Sequence, residues 1–107
     1  MNRGEIWWVD FNPSVGGEIR KSRPAIIVSN DVANKYLNRV QVIPLTSSTE
    51  NLYPSEAYVR AGGRQSKAMA DQIMTVSKTR LTDKLGRITA KEMVGVERAI
   101  QVQLGLD

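Results

Sequence analysis

The 107-residue chain contains no cysteine and no histidine, and each absence removes a class of chemistry. Without cysteine there is no disulfide framework, no thiolate nucleophile and no sulfur ligand for a metal, a composition that suits a reducing compartment. Without histidine, the usual side chain for proton transfer near neutral pH is missing, which excludes a Ser–His–Asp triad or a paired-histidine hydrolase. The carboxylates are scattered and have no histidine beside them, so no metal-ligand motif emerges. No apolar run approaches the roughly 20 residues of a membrane-spanning helix. The opening "MNRGEIWWVDFNP" also turns polar too early for a secretory signal. The expectation is a soluble, intracellular protein with a single domain over residues 1–107.

Positive charge is what the chain does have. The formal net charge is +4 and the sequence pI about 9.7, a balance that favours anionic partners such as nucleic acid, acidic peptides or phosphorylated ligands. The hydropathy pattern is mostly that of strands. "GEIWWVDF" is aromatic and β-branched and is closed by the turn chemistry of "NPSVGGE". "RPAIIVSN" is almost continuously apolar, as expected for a central strand. "DVANKYLN" reads as a short helix with Asp31 near its start. "RVQVIPLTSS" places Val40, Val42 and Pro44 on one face and Gln41, Ile43 and Leu45 on the other. Its proline, which cannot donate to a ladder, predicts an edge or a bulge. "SEAYVRA" reads as a fourth strand, "GGR" as a turn, and "QSKAMADQIMTVSK" as one long, bent fifth strand.

The tail is different in kind. Thr89 and Glu92 have capping-box spacing ahead of Met93, Val96, Ile100 and Leu104, which share a helical face, and Gly105 supplies a stop. Four or five short strands with a terminal helix predict a small, curved sheet of SH3-like barrel type with helical additions, mainly β within the α+β class.

Several residues carry candidate chemistry. Arg20, Lys21 and Arg23 lie in a loop led by Gly16 and Gly17, and Arg23 is pinned by Pro24 at the mouth of a core strand. A cation so placed can hold a phosphate, and arginine offers a planar fork for it; a solvated basic loop accounts for the same charges. In "PLTSST", Thr46 and Ser47 can donate to a phosphate oxygen, or simply cap a turn. In "ADQI", Asp71 suits pairing with a loop cation, and Gln72 can read a base edge from the opposite face. Successive strand residues face opposite sides, so only one of Trp7 and Trp8 belongs to the core layer. The other suits base stacking, an interface or second-layer packing. Met69, Met74 and Met93 read as gap-filling core.

Taken together and in this order, "RGEIWWVDFNPSVGGEIRKSRPAIIVSND", "VIPLTSS" and "ADQIMTVSKTRL" resemble the MazF/PemK family of toxin endoribonucleases, from about Arg3 to Leu106. The resemblance implies a compact SH3-like barrel that forms a homodimer and cleaves single-stranded RNA at short sequences without a metal or other cofactor. It also implies an antitoxin whose disordered acidic tail covers the RNA site. Carried over by motif, Arg23 of "RP" and Thr46 of "PLT" match the catalytic positions, and Asn30 and Gln72 match positions that contact RNA. Ser47 and the loop residues Gly17, Glu18, Arg20 and Lys21 join the RNA-binding set, although the loop varies within the family. Glu5 departs from the family's frequent Asp.

Two other readings compete. CcdB-type gyrase poisons share the fold but use a Trp-Gly-Ile ending, whereas this chain ends "QLGLD" and keeps "RP" and "PLT". A non-catalytic basic barrel would bind single strands with the same salt dependence and leave them intact.

Overall fold

Strand β2 (Ser22–Ile27) is apolar along both faces because both faces are covered. Ile26 points into one core with Ile6, Ile43, Val59 and Val96, while Ala25 and Ile27 point into a second with Val9, Val40, Val42 and Val76. The computed structural model describes residues 1–106. Among these, β2 is flanked by β1 (Glu5–Asp10) and β3 (Arg39–Thr46), followed in the chain by β4 (Glu56–Ala61), β5 (Arg64–Met69), β6 (Met74–Ser77) and β7 (Leu81–Arg87). Helix α1 (Asp31–Tyr36) links β2 to β3, and α2 (Ala90–Leu104) closes the described chain.

The strands run in the order β4-β5-β3-β2-β1-β7, with β6 also on β3, and every pairing is antiparallel. The sheet curls, and its ends meet where Leu85 of β7 lies against Gly62 in the β4–β5 turn. This curled sheet with a terminal helix is the SH3-like architecture expected from the sequence. Removing a side chain such as Ile26, fully buried between strands, would cost about 2–5 kcal/mol.

Three expectations need correction. Pro44 lies on neither an edge strand nor a simple bulge, since β3 is paired on both sides. On one side β3 exchanges β6, which ends at Val42, for β5, which begins at Leu45, so proline falls where one ladder has stopped and the next begins. The long fifth strand is really two, β5 and β6, separated by a 3₁₀ turn over Ala70–Gln72. That turn is imposed from outside, because Ser55 O accepts the Ala70 N–H at 3.0 Å. Strand β7 was not foreseen; it pairs with β1 through two register irregularities and is largely exposed, so its apolar signal is weak.

The helical tail matches its sequence signals. Thr89 Oγ1 accepts from Glu92 N, and Glu92 Oε1 accepts from Thr89 N at 2.8 Å, completing the capping box. Gly105 adopts φ 66°, the left-handed conformation that favours glycine. The face bearing Met93, Val96 and Ile100 packs on this chain's own core, whereas Leu104 is exposed. Glu92 has a second role: its Oε2 accepts from Arg60 N at 2.7 Å and so ties α2 to the edge strand β4. Burial raises the Glu92 carboxyl pKa, but these hydrogen bonds and the Arg60 charge outweigh it and leave it below the usual range.

Candidate active site and nucleic-acid groove

Antiparallel register brings the two strongest candidates together. Ala25 pairs with Pro44, and continuing that register two residues outward sets Arg23 opposite Thr46. Both side chains line one groove of about 420 Å³. Trp8 and Pro24 form part of its wall, and the start of β5 supplies Arg64, Gln65 and Ser66. Trp8 is 38% exposed, whereas Trp7 is half-buried against the second core and donates from Nε1 to Glu5 at 3.0 Å. The alternation expected for the tryptophan pair is thus observed, and the outward ring faces the groove.

The two groups are held differently. Arg23 Nε donates to Arg20 O at 3.2 Å, which fixes the plane of the guanidinium and leaves its terminal nitrogens to the groove. Thr46 Oγ1 accepts from Ser48 N at 3.2 Å. With that lone pair engaged, the hydroxyl is set up to donate. A fork and a hydroxyl donor on neighbouring strands form an arrangement suited to a phosphate group.

The β1–β2 loop forms a second, adjoining surface that shares Arg23 and includes Gly17, Glu18, Arg20 and Lys21. Lys21 has φ 65°, a strained conformation for a lysine, and is gripped on both backbone groups: its N donates to Asn12 Oδ1 at 3.1 Å, and its O accepts from Phe11 N at 3.0 Å. Gln72 anchors this loop. Its Oε1 accepts from Ile19 N and its Nε2 donates to Gly17 O, both at 3.3 Å. The amide expected to face a base is thus committed to the loop. Gln72, and not Asp71, makes the link, since Asp71 forms no ion pair with a loop cation among the described residues.

Ser47 lies in the groove beside Thr46. Asn30 does not; it sits beyond the far end of β2, where its Oδ1 caps α1 by accepting from Ala33 N at 2.8 Å. The sequence reading also missed Arg64, Gln65 and Ser66. A local signal existed, because Arg64 follows the Gly62–Gly63 turn at the mouth of a strand, as Arg23 does.

Comparison with known proteins agrees with the geometry. A family model described as the PemK-like, MazF-like toxin of type II toxin–antitoxin systems matches residues 2–104. The chain is 38% identical to the endoribonuclease MazF9 of Mycobacterium tuberculosis, covering 99% of this chain and 98% of that protein. It is 30% identical to the endoribonuclease EndoA of Bacillus subtilis, over 99% and 96% of the two chains. Among solved structures, MazF from Deinococcus radiodurans superposes with a TM-score of 0.87 at 26% identity, covering 98% of this chain and 96% of that one. An endoribonuclease from a mycobacterial species in complex with its cognate antitoxin does so with a TM-score of 0.84 at 27% identity, covering 100% and 97%. With a matching family model over nearly its whole length and the Arg23–Thr46 groove in place, the chain belongs to the PemK-like, MazF-like toxin family of type II toxin–antitoxin systems.

Proposed function

We propose that the protein is a metal-independent endoribonuclease that cleaves single-stranded RNA in the groove between β2 and β3. The observation that carries this reading is the register that sets Arg23 opposite Thr46 in a cleft with an exposed tryptophan. RNA brings its own nucleophile. A ribose 2′-hydroxyl held in line with the adjacent phosphorus forms a P–O2′ bond while the P–O5′ bond breaks. The 2′ proton is lost and the departing oxygen gains one, leaving a 2′,3′-cyclic phosphate and a 5′-hydroxyl. The protein's tasks are to align the strand and to stabilise the added negative charge.

Arg23 meets two phosphate oxygens with its terminal nitrogens, and Thr46 donates to a non-bridging oxygen. The role of Arg23 is electrostatic, because a guanidinium holds its proton tightly. Arg20, Lys21 and Arg64 supply a field along the backbone of the strand, and Trp8 offers a face for a base. The relatives named as endoribonucleases support RNA cleavage as the activity.

Two partners complete the proposal. An antitoxin with an acidic, disordered tail occupies the groove in competition with RNA. The net charge of +4 and the structural relative solved with its cognate antitoxin support this. A second copy of the chain forms a homodimer, supported by the exposed Val102 and Leu104 at the end of α2 and Leu106 just beyond it. Sedimentation at micromolar concentration should give twice the chain mass, and a fully active monomer would remove this part. The central test is incubation with a defined single-stranded RNA in EDTA, followed by end-group analysis. Fragments with cyclic-phosphate ends support the reading. Intact RNA that stays bound would leave a binding barrel instead.

A further inference from the structure

The connection between β3 and β4, residues 47–55, has no regular secondary structure, yet it is tied down at several backbone groups. Lys67 Nζ donates to Asn51 O at 2.5 Å, and the Tyr58 hydroxyl donates to Thr49 O at 2.9 Å. These two side chains are neighbours by design of the sheet. Tyr58 pairs with Lys67 across β4–β5, and Lys67 pairs with Thr46 across β5–β3. One rung therefore runs from Tyr58 through Lys67 to Thr46, and two of its members hold the segment that follows the third.

A lysine in mid-strand that is only 6% exposed needs a specific reason. Its ammonium lies 3.0 Å from Glu56 Oε1 and 5.7 Å from the centre of the Tyr53 ring. Glu56 Oε1 in turn accepts from Tyr53 N at 3.0 Å, so both members of the ion pair grip the same segment. A well-packed apolar pair often does as well as a buried ion pair for stability. What the ammonium adds is a directional bond to a loop carbonyl.

That loop carries Ser48, whose N–H occupies a lone pair of Thr46 Oγ1. The hydroxyl proton is thereby turned away from the loop, as donation to a phosphate requires. We propose that Lys67, acting with Tyr58, is a positioning residue for Thr46. It holds residues 47–55 so that the Ser48 N–H stays on the threonine oxygen. The proposal rests on the reading of Thr46 as a phosphate donor.

Two variants test it. Lys67→Met combined with Glu56→Gln removes both charges of the pair together, and Tyr58→Phe removes one hydroxyl should the first fail to fold. Single-turnover cleavage at saturating RNA, RNA affinity and amide exchange at Ser48 are measured for each, alone and with Thr46→Ala. Misplacement of a reacting group by about 1 Å can cost roughly 10²-fold in rate, and a loss of that order is expected for the double variant. RNA affinity should be nearly unchanged, Ser48 should exchange faster, and neither variant should slow Thr46→Ala further. A loss of equal size in both backgrounds marks a general structural effect and overturns the proposal. So does a wild-type rate despite fast Ser48 exchange. Unchanged Ser48 exchange in the folded variants overturns the clamp alone, whereas an inactive wild-type protein overturns the phosphate-donor reading and with it the catalytic purpose of the clamp.

Discussion

Replacing Arg23 with lysine keeps the charge and removes the fork, and the structure indicates how much that should matter. Arg23 Nε is already bonded to Arg20 O at 3.2 Å, so in the proposed clamp the terminal nitrogens are the ones left to meet two phosphate oxygens. A lysine has a single nitrogen at the end of its stem, and its three donors radiate from that one point. It therefore cannot hold Arg20 O and span two phosphate oxygens in the fork geometry at the same time. Loss of one charge-assisted hydrogen bond costs about 1.5–3 kcal/mol, or roughly 10- to 150-fold in rate. Loss of the anchor to Arg20 adds positional freedom, which places the expected fall near the upper end of that range. RNA affinity should fall much less, since one phosphate contact is a fraction of the electrostatic total. Single-turnover cleavage at saturating RNA gives the first quantity. A salt titration with an RNA carrying a 2′-deoxy sugar at the scissile position gives the second. Arg20→Ala and Lys21→Ala should show the opposite pattern, with weaker binding, a flatter salt dependence and near-normal turnover. A folded Arg23→Lys protein that cuts at the wild-type rate would refute the phosphate clamp and reduce the cluster to a basic loop.

Thr46→Ala should slow cleavage by about 2.7–4 kcal/mol if its hydroxyl acts as other oxyanion donors do, with the melting temperature near that of the wild type; an unchanged rate would remove it from the mechanism. Glu5 is buried, which raises its pKa, but hydrogen bonds from Asn2 N, Trp7 Nε1 and Lys84 Nζ prevail and bring it from 4.5 to about 2. Its folded pKa lies below its unfolded one, so its contribution is complete above about pH 4.5 and is lost as the pH falls toward 2. Urea unfolding between pH 6 and 3 should show a decline of about 2 kcal/mol that Glu5→Gln lacks, and parallel curves would contradict this. Glu92→Ala frees the N–H groups of both Thr89 and Arg60, and the loss of about 1–2 kcal/mol expected for a cap should appear as a lower melting temperature. A melting temperature equal to the wild type would show that α2 docks without this bridge.

Elements stabilised by neighbours in sequence were legible from the chain alone. Helix α2 follows from Thr89, Glu92 and Gly105, because a capping box and a left-handed glycine act within one turn of the backbone they satisfy. The central position of β2 follows from its unbroken apolar run, since only a strand covered on both faces tolerates one. The pairing of Arg23 and Thr46 as one site came through resemblance to a family; composition and spacing left them as separate features.

What tertiary structure alone decided concerns contacts between distant segments. The break between β5 and β6 depends on Ser55 O, fifteen residues before the Ala70 N–H it accepts. Strand β7 has a charged, glycine-containing sequence and becomes a strand because the edge of β1 is there to pair with it. Gln72 anchors a loop because the 3₁₀ turn aims its amide at Gly17 and Ile19. Arg64, Gln65 and Trp8 share a groove with Arg23 and Thr46 because β5 and β1 flank β3 and β2 and the sheet curls, while Asn30, at the far end of β2, stays outside it. A chain displays its local hydrogen-bond partners in order, but a curved sheet makes neighbours of residues that no spacing rule connects.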